Sequence, residues 1–131
     1  MLIQAHPERP GVWPAVEPYL SRALEKAQVP EWTLSQVYDN VVSGRWALYA
    51  LIENQCVIGA GVVAVSDYGL RRVLEVVMFG ADEHTRAWED MLDSLKRIAK
   101  SLKCAAIRCE GRPGWERVLK MRRINLFELE V

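Results

Sequence analysis

The spacing of apolar residues predicts three amphipathic helices. The first begins at the turn that contains Pro14 and ends near Pro30, because the residue before a proline disfavours helical geometry. The second begins at Thr33, which forms a capping box with Gln36. The third and longest spans residues 84–102, with charged residues opposite its apolar face. That face consists of Trp88, Met91, Leu92, Leu95, Ile98, Ala99 and Leu102.

Shorter apolar runs between and around these helices predict strands. Runs at 45–53, 56–67 and 71–80 are joined by short turns, a pattern typical of an antiparallel meander. A strand at 104–110 follows the long helix, so the order strand, helix, strand predicts a right-handed parallel crossover. Further strands are predicted at both ends of the chain, over 2–5 and 123–131.

Two glycines interrupt the apolar run of the second meander strand. Gly59 and Gly61 lie two residues apart inside a segment that otherwise reads as a buried strand. Glycine at such a position indicates a β-bulge or a close approach of another backbone. We expect one of these features at the centre of the sheet.

Length and composition fit one globular domain. The 131 residues correspond to a single α/β domain over 1–131 with a mixed sheet, and half of them are apolar. Seventeen cations balance 17 anions, which gives no argument for nucleic acid or an anionic membrane as a partner. No apolar run reaches the roughly 18 residues of a membrane span, and the first residues lack the pattern of a signal peptide.

The three cysteines do not predict a disulfide framework or a metal site. Cys56, Cys104 and Cys109 are odd in number and lack framework spacing, which is typical of reduced thiols in a cytosolic setting. No cysteine or histidine pair has the spacing of zinc ligands. We therefore expect no metal.

The order of elements and two motifs resemble the GNAT N-acetyltransferase superfamily. The turn and strand "NQCVIGAGVVAV" is similar to that family's third strand, and "EGRPGWERVLKMRRINLF" stands where the family has a short helix before its final strand. The segment also resembles the "GRxGWxRxL" pattern of small GNAT-like proteins encoded by tailed phages. This closer resemblance implies an internal virion or accessory protein, located in the host cytoplasm or the virion.

The resemblance implies where acetyl-CoA would bind. In the superfamily the coenzyme lies between the fourth and fifth strands, with its pyrophosphate at the start of the long helix. Here the corresponding positions are Met78, Phe79, Gly80, Arg86 and Ala87. The family's glycine-rich phosphate motif is missing. The carboxylates at positions 82 and 83 instead favour a self-capped helix and would repel a pyrophosphate.

The candidate chemistry is sparse. Glu75, on the strand beside this cleft, is the candidate general base, although a carboxylate on an alternating strand more often faces solvent. His84 is a second candidate, with helix capping as the alternative role. The family often uses a tyrosine near the final helix as its general acid, and this chain has no tyrosine after Tyr68.

The C-terminal third carries candidate interaction residues. Arg112, Trp115 and Arg117 lie in the phage-like motif, within a locally basic segment. These cations can bind a phosphate or an acidic protein, or they can form ion pairs with the acidic long helix. Tryptophans at element boundaries, if exposed, would serve as interface anchors.

Two functions follow from these observations. The first is a phage-encoded GNAT-fold protein without acetyl transfer, which contacts other phage proteins or itself as a virion-associated component. The second is an acetyl-CoA-dependent N-acetyltransferase with a degenerate pyrophosphate loop.

Overall fold

The computed structural model describes residues 1–27, 30–82, 88–110, 120–124 and 126–131. Within them, five strands and three helices follow one another along the chain. They are β1 (Leu2–Ala5), α1 (Val12–Glu25), α2 (Leu34–Val42), β2 (Ala47–Glu53), β3 (Cys56–Asp67), β4 (Arg72–Ala81), α3 (Trp88–Ser101) and β5 (Ala106–Cys109).

The strands form one mixed sheet in the order β1-β2-β3-β4-β5. Strands β1 to β4 pair antiparallel, and β4 pairs parallel with β5. Helix α3 connects the two parallel strands and supplies the predicted crossover. The predicted fold class, an antiparallel meander followed by a parallel strand–helix–strand unit, is therefore confirmed.

Helices α1 and α2 cover one face of the sheet. Their apolar residues pack with inward-facing residues of β2 and β3, and this cluster includes fully buried Leu20, Val37 and Leu48. The predicted capping box of α2 is confirmed, because Thr33 Oγ1 accepts from the Gln36 N–H at 3.2 Å and Gln36 Oε1 accepts from the Thr33 N–H at 2.9 Å. These contacts fix the start of the helix.

Two boundary tryptophans also lie on this face. Trp13 makes an edge-to-face contact with Tyr38, and Trp32 makes one with the buried Trp46. Both boundary tryptophans are partly buried against the cluster under α1 and α2. Their packing gives them a role in the domain core.

Helix α3 covers the opposite face and is tied to the start of the chain. Met91, Leu95 and Ala99 of the helix are buried against residues that include Leu51 and Leu74. The N-terminal ammonium donates to Asp90 Oδ2 at 2.7 Å, and this contact lowers the pKa of the Asp90 carboxyl. The Leu2 N–H donates to Ser94 Oγ at 3.3 Å. Edge strand β1 is thereby joined to the helix.

The glycine-rich centre of the sheet contains both features that its sequence predicted. The β2–β3 register shifts between Leu51 and Ile52, next to Gly59, and this irregularity is a β-bulge. A Cβ atom on Gly59 would lie 2.8 Å from the carbonyl oxygen of Gly80, and one on Gly80 would collide with the carbonyl of Tyr19. The absence of a Cβ atom on Gly80 lets α1 lie directly on the backbone of β4.

A small apolar cavity of about 20 Å³ lies between α3 and strands β4 and β5. Its volume is roughly that of one water, but the described residues that line it are apolar or weakly polar and offer a water no strong hydrogen-bond partner. Burial raises the pKa of the Cys109 thiol at its edge. The described lining residues are Val76, Phe79, Met91, Leu92, Leu95, Ile107, Cys109 and Met121.

Some predicted elements differ from the structure. Helix α1 begins at Val12, after Gly11 in a left-handed conformation, so Pro14 lies in its first turn as predicted, but the helix ends at Glu25, before the predicted end near Pro30. The predicted strand at 123–131 is wrong for its described residues, which pair with no strand; Leu126, Phe127 and Leu129 are more than 80% exposed. Strand-forming residues need a packed face, and the alternating pattern alone does not supply one. The short helix that the family resemblance implies before the final strand, over 115–120 in this sequence, lies outside the described residues except for Lys120, which is not helical.

We predict that the close approach at Gly80 limits substitution there. Gly80→Ala should lower the free energy of unfolding by about 1–3 kcal/mol, since the rigid backbone of α1 must move to accept the methyl group. Urea denaturation monitored by tryptophan fluorescence measures the change. Gly69→Ala is the matched control, because its Cβ meets no atom within 4 Å, and it should change stability by less than about 0.5 kcal/mol. Equal stability of the two variants would contradict the packing.

We predict that Cys109 reacts more slowly than Cys56 with thiol reagents. A raised pKa leaves a smaller thiolate fraction at any pH below it, and burial also limits access, whereas Cys56 is exposed. Iodoacetamide labelling followed by peptide mass spectrometry should show a rate about tenfold or more lower for Cys109. In guanidinium chloride the two rates should converge. Equal rates in the native protein would show that Cys109 is accessible.

Candidate functional site

The candidate site begins where the two parallel strands separate. Pairing of β4 with β5 runs from Val73–Ala106 to Val76–Cys109. Strand β4 then continues through Val77 to Ala81, where it stays paired only with β3 among the described strands. One edge of this stretch therefore extends beyond the end of its neighbour, and such an edge presents backbone N–H and C=O groups.

A β-bulge marks the point of separation. The β3–β4 register passes from Val63–Val76 to Val62–Met78, so Val77 is the extra residue. A bulge bends its strand and increases the local twist. Because the bulge directly follows the last pair with β5, it accounts physically for the divergence of the two strands.

Three residues predicted to bind a coenzyme lie on the extended part of β4. Met78 packs toward α1 and α2, and Phe79 packs toward α3 with its ring 6.2 Å from that of Trp88. Gly80 lies under Tyr19 of α1. The extended strand is therefore held on both faces, while its edge carries the backbone groups.

Glu75 lies just before the separation, on the face opposite α3. It pairs across the sheet with Ala64, which packs in the cluster under α1 and α2, while its neighbour Leu74 packs under α3. Its side chain is about a third exposed (34%), so the carboxylate is reachable from solvent but partly shielded. The structure thus places the candidate base one residue before the last β4–β5 pair, Val76–Cys109.

Two side chains engage the Glu75 carboxylate. The Tyr68 hydroxyl donates to Glu75 Oε1 at 2.9 Å, and Arg108 Nη1 lies 3.8 Å from the same oxygen. Arg108 Nη1 also donates to the Tyr68 hydroxyl oxygen at 3.1 Å, and its guanidinium lies 5.4 Å from the centre of the Tyr68 ring. The three side chains form a connected network, here called the Tyr68–Glu75–Arg108 network.

The β3–β4 turn and the parallel pairing bring this network together. The Tyr68 N–H donates to the Arg71 carbonyl at 2.8 Å, which closes the turn. Arg72 donates to both carboxylate oxygens of Asp67, at 2.7 and 3.3 Å, and fixes the strand ends that flank it. The pairing of Glu75 with Arg108 then sets the charged residue of β5 beside the carboxylate.

A second polar group lies at the far end of β4. The Asp82 N–H donates to the Ile58 carbonyl at 2.8 Å, and Arg22 of α1 lies 3.9 Å from the Asp82 carboxylate. The Tyr19 hydroxyl donates to the Val57 carbonyl, and burial, together with the nearby Asp82 carboxylate, raises its pKa. The Asp82 charge predicted at the start of the long helix is thus directed toward a cation on α1.

Several predicted site residues lie outside the described residues. They are Arg86 and Ala87 of the coenzyme set, the candidate base His84, and the interaction residues Arg112, Trp115 and Arg117. Their roles stay predictions from the sequence.

The described part of the chain offers no group of three or more His, Cys, Asp or Glu side chains that could hold a metal ion. None of its helices combines the length and apolarity needed to cross a membrane.

The contacts of Tyr68 and Arg108 with Glu75 were not predicted from the sequence. Opposite charges on adjacent strands were the available signal, but pairing Glu75 with Arg108 requires the β4–β5 register, which apolar periodicity leaves open. Tyr68 precedes Glu75 by seven positions across a turn, and only the closed turn brings the two together.

Comparison with known proteins identifies the fold. No family model and no curated protein matches the chain. Solved structures do match it, and they cover its whole length. A probable acetyltransferase aligns with a TM-score of 0.74, 14% sequence identity and 98% of its own chain covered.

Two further solved structures are also acetyltransferases. Ribosomal-protein-alanine N-acetyltransferase from Brucella melitensis biovar Abortus 2308 aligns with a TM-score of 0.73 at 8% identity, with 100% of this chain and 99% of that chain covered. Glucosamine-6-phosphate N-acetyltransferase from Arabidopsis thaliana aligns with a TM-score of 0.65 at 11% identity, with 100% and 97% covered. These likenesses confirm the expected architecture: the chain has the GNAT acetyltransferase fold.

Proposed function

We propose that the protein is an acetyl-CoA-dependent N-acetyltransferase. The observation that carries this proposal is the extension of β4 beyond the end of β5, which begins at the Val77 bulge and continues to Ala81. It supplies a strand edge at the position where the resemblance implies the coenzyme. Of the two functions expected from the sequence, only this one uses that feature.

The edge of β4 fits the chemistry of the coenzyme's pantetheine arm. That arm is a narrow chain with two amide groups, which can pair with strand-edge N–H and C=O groups as an added strand does. Such pairing depends on the backbone alone. It therefore requires no particular side chains on β4.

The anionic end of the coenzyme meets a less favourable surface. Asp82 contributes a carboxylate immediately after β4, and a carboxylate repels a pyrophosphate. Arg22, 3.9 Å away, offsets part of that charge. We infer that the pantetheine arm supplies a larger share of the affinity here than it would beside a glycine-rich phosphate loop.

Glu75 supplies the proton acceptor in this proposal. The acceptor amine loses a proton to the carboxylate and attacks the thioester carbonyl carbon, forming a C–N bond. The C–S bond then breaks, and the coenzyme leaves as a thiol after its sulfur takes up the excess proton of the attacking nitrogen. The amide product carries the acetyl group.

The phage-encoded, virion-associated role without acetyl transfer stays a prediction from the sequence. It rests on the "GRxGWxRxL" segment, whose arginines and tryptophan lie outside the described residues. Mass spectrometry of purified particles tests it independently of catalysis.

We predict micromolar binding of acetyl-CoA, measured by isothermal titration calorimetry. Adenosine 3′,5′-bisphosphate, which lacks the pantetheine arm, is the matched ligand, and it should bind at least about 100-fold more weakly if strand-edge pairing dominates. Equal affinity for both ligands would show that the pantetheine arm is not bound. Absence of heat at millimolar acetyl-CoA would remove the proposed function.

We predict that Glu75→Gln abolishes most turnover and leaves binding intact. The amide cannot accept the amine proton, so kcat should fall by roughly 10²- to 10⁴-fold while the acetyl-CoA Kd stays within about twofold. Loss of thioester absorbance measures turnover, with spermidine, glycinamide and Nα-acetyl-lysine amide as acceptors.

Glu89→Gln is the matched control for this variant. Glu89 is exposed on α3, on the face of the sheet opposite Glu75, so its loss should leave kcat unchanged. A Glu75→Gln variant as fast as the unaltered protein would assign the base elsewhere.

A further inference from the structure

Resting on the proposed function, we propose that Tyr68 and Arg108 are positioning residues that hold Glu75 in the orientation needed to accept the amine proton. The proposal starts from two contacts with one carboxylate oxygen and a third contact between the two neighbouring side chains. Tyr68 donates to Oε1, Arg108 lies 3.8 Å from Oε1, and Arg108 donates to the Tyr68 oxygen.

The contacts distinguish the two oxygens of the Glu75 carboxylate. Both neighbours lie against Oε1: the Tyr68 hydroxyl fixes this oxygen by a hydrogen bond, and the Arg108 guanidinium lies 3.8 Å from it as an ion-pair partner. A carboxylate oxygen that accepts a hydrogen bond from a donor is less available to accept another proton. The network therefore directs proton acceptance to Oε2, and rotation of the carboxylate would break the 2.9 Å hydrogen bond.

Arg108 also determines where the Tyr68 proton points. A phenol oxygen both donates and accepts, whereas a guanidinium only donates. Since Arg108 donates to the Tyr68 oxygen, the phenol proton is available for Glu75. The order of donation is guanidinium to phenol to carboxylate.

The network lies next to the point where β4 and β5 separate. Glu75 and Arg108 form the pair directly before the last β4–β5 pair, and the Val77 bulge follows within two residues of Glu75. The same face holds Tyr68 by way of the closed β3–β4 turn. The carboxylate is thus fixed next to the strand edge that binds the thioester in the proposed function.

A purely structural role makes a different prediction. The three side chains also connect the β3–β4 turn with β5, and the exposed fractions of Glu75 and Arg108 are 34% and 32%. Ion pairs exposed to this degree contribute little to stability. Removal of the Tyr68 hydroxyl should therefore change turnover far more than folding.

The test is steady-state kinetics of Tyr68→Phe with acetyl-CoA and the fastest of the three amines named above. We expect kcat to fall roughly 10- to 100-fold, since a small displacement of a reacting group costs about that much. The KM for acetyl-CoA and the thermal unfolding midpoint should stay close to those of the unaltered protein. Tyr38→Phe, which removes the same atom from α2, is the matched control and should leave kcat unchanged.

A double variant separates positioning from any independent effect. Because Tyr68 acts only through Glu75 in this proposal, Glu75→Gln/Tyr68→Phe should be no slower than Glu75→Gln alone. Arg108→Lys, which keeps the charge and loses the planar fork, should fall between Tyr68→Phe and the unaltered protein in kcat.

The outcomes are distinct. Tyr68→Phe with unaltered kcat, or a multiplicative loss in the double variant, overturns the positioning role and leaves the proposed function standing. A parallel fall in kcat and thermal midpoint assigns the network to folding and also overturns it. No turnover by the unaltered protein with any of the three amines overturns both the proposed function and the inference.

Discussion

Strand β4 lies between two strands of different length, β3 and β5, and the arrangement of the rest of the structure depends on this difference. It pairs with β3 from Arg72 to Ala81, but its parallel pairing with β5 ends at Val76 and Cys109. The bulge at Val77 changes the course of the strand at that point. Beyond it, Gly80 lets α1 lie on the backbone, and Phe79 packs toward α3, so both faces are covered while one edge is left beyond the reach of β5.

The same difference in strand length sets the positions of Glu75 and of the β4 edge. Residues before the bulge keep their β5 partner, and this pairing sets Arg108 beside Glu75. Residues after it present backbone groups along an edge. A fixed carboxylate and a strand edge therefore meet at one point, although no glycine-rich phosphate motif is present in the sequence. In the proposed function, backbone groups of this edge bind the coenzyme and Glu75 accepts the proton.

The sequence predicted the elements well because local patterns determine them. The Thr33 capping box and the strand glycines are readable from neighbouring residues, and the order of elements was sufficient for the crossover. For the site, the sequence proposed Glu75 as the base, and that role stays a prediction. The contacts of Glu75 depend on register across two strands and a turn, which periodicity does not determine. The prediction of a strand over 123–131 is wrong for its described residues for a related reason, because an apolar pattern does not specify which strand it would pair with.

Amide hydrogen exchange of β4, followed with and without acetyl-CoA, tests the central claim most directly. The account predicts that saturating acetyl-CoA slows exchange of amides in Val77–Ala81, because the pantetheine arm pairs with their edge. Amides of β2 such as that of Ala50, which lies between β1 and β3, should exchange as before. Unchanged exchange in Val77–Ala81 while calorimetry shows bound acetyl-CoA would place the coenzyme elsewhere and contradict the account.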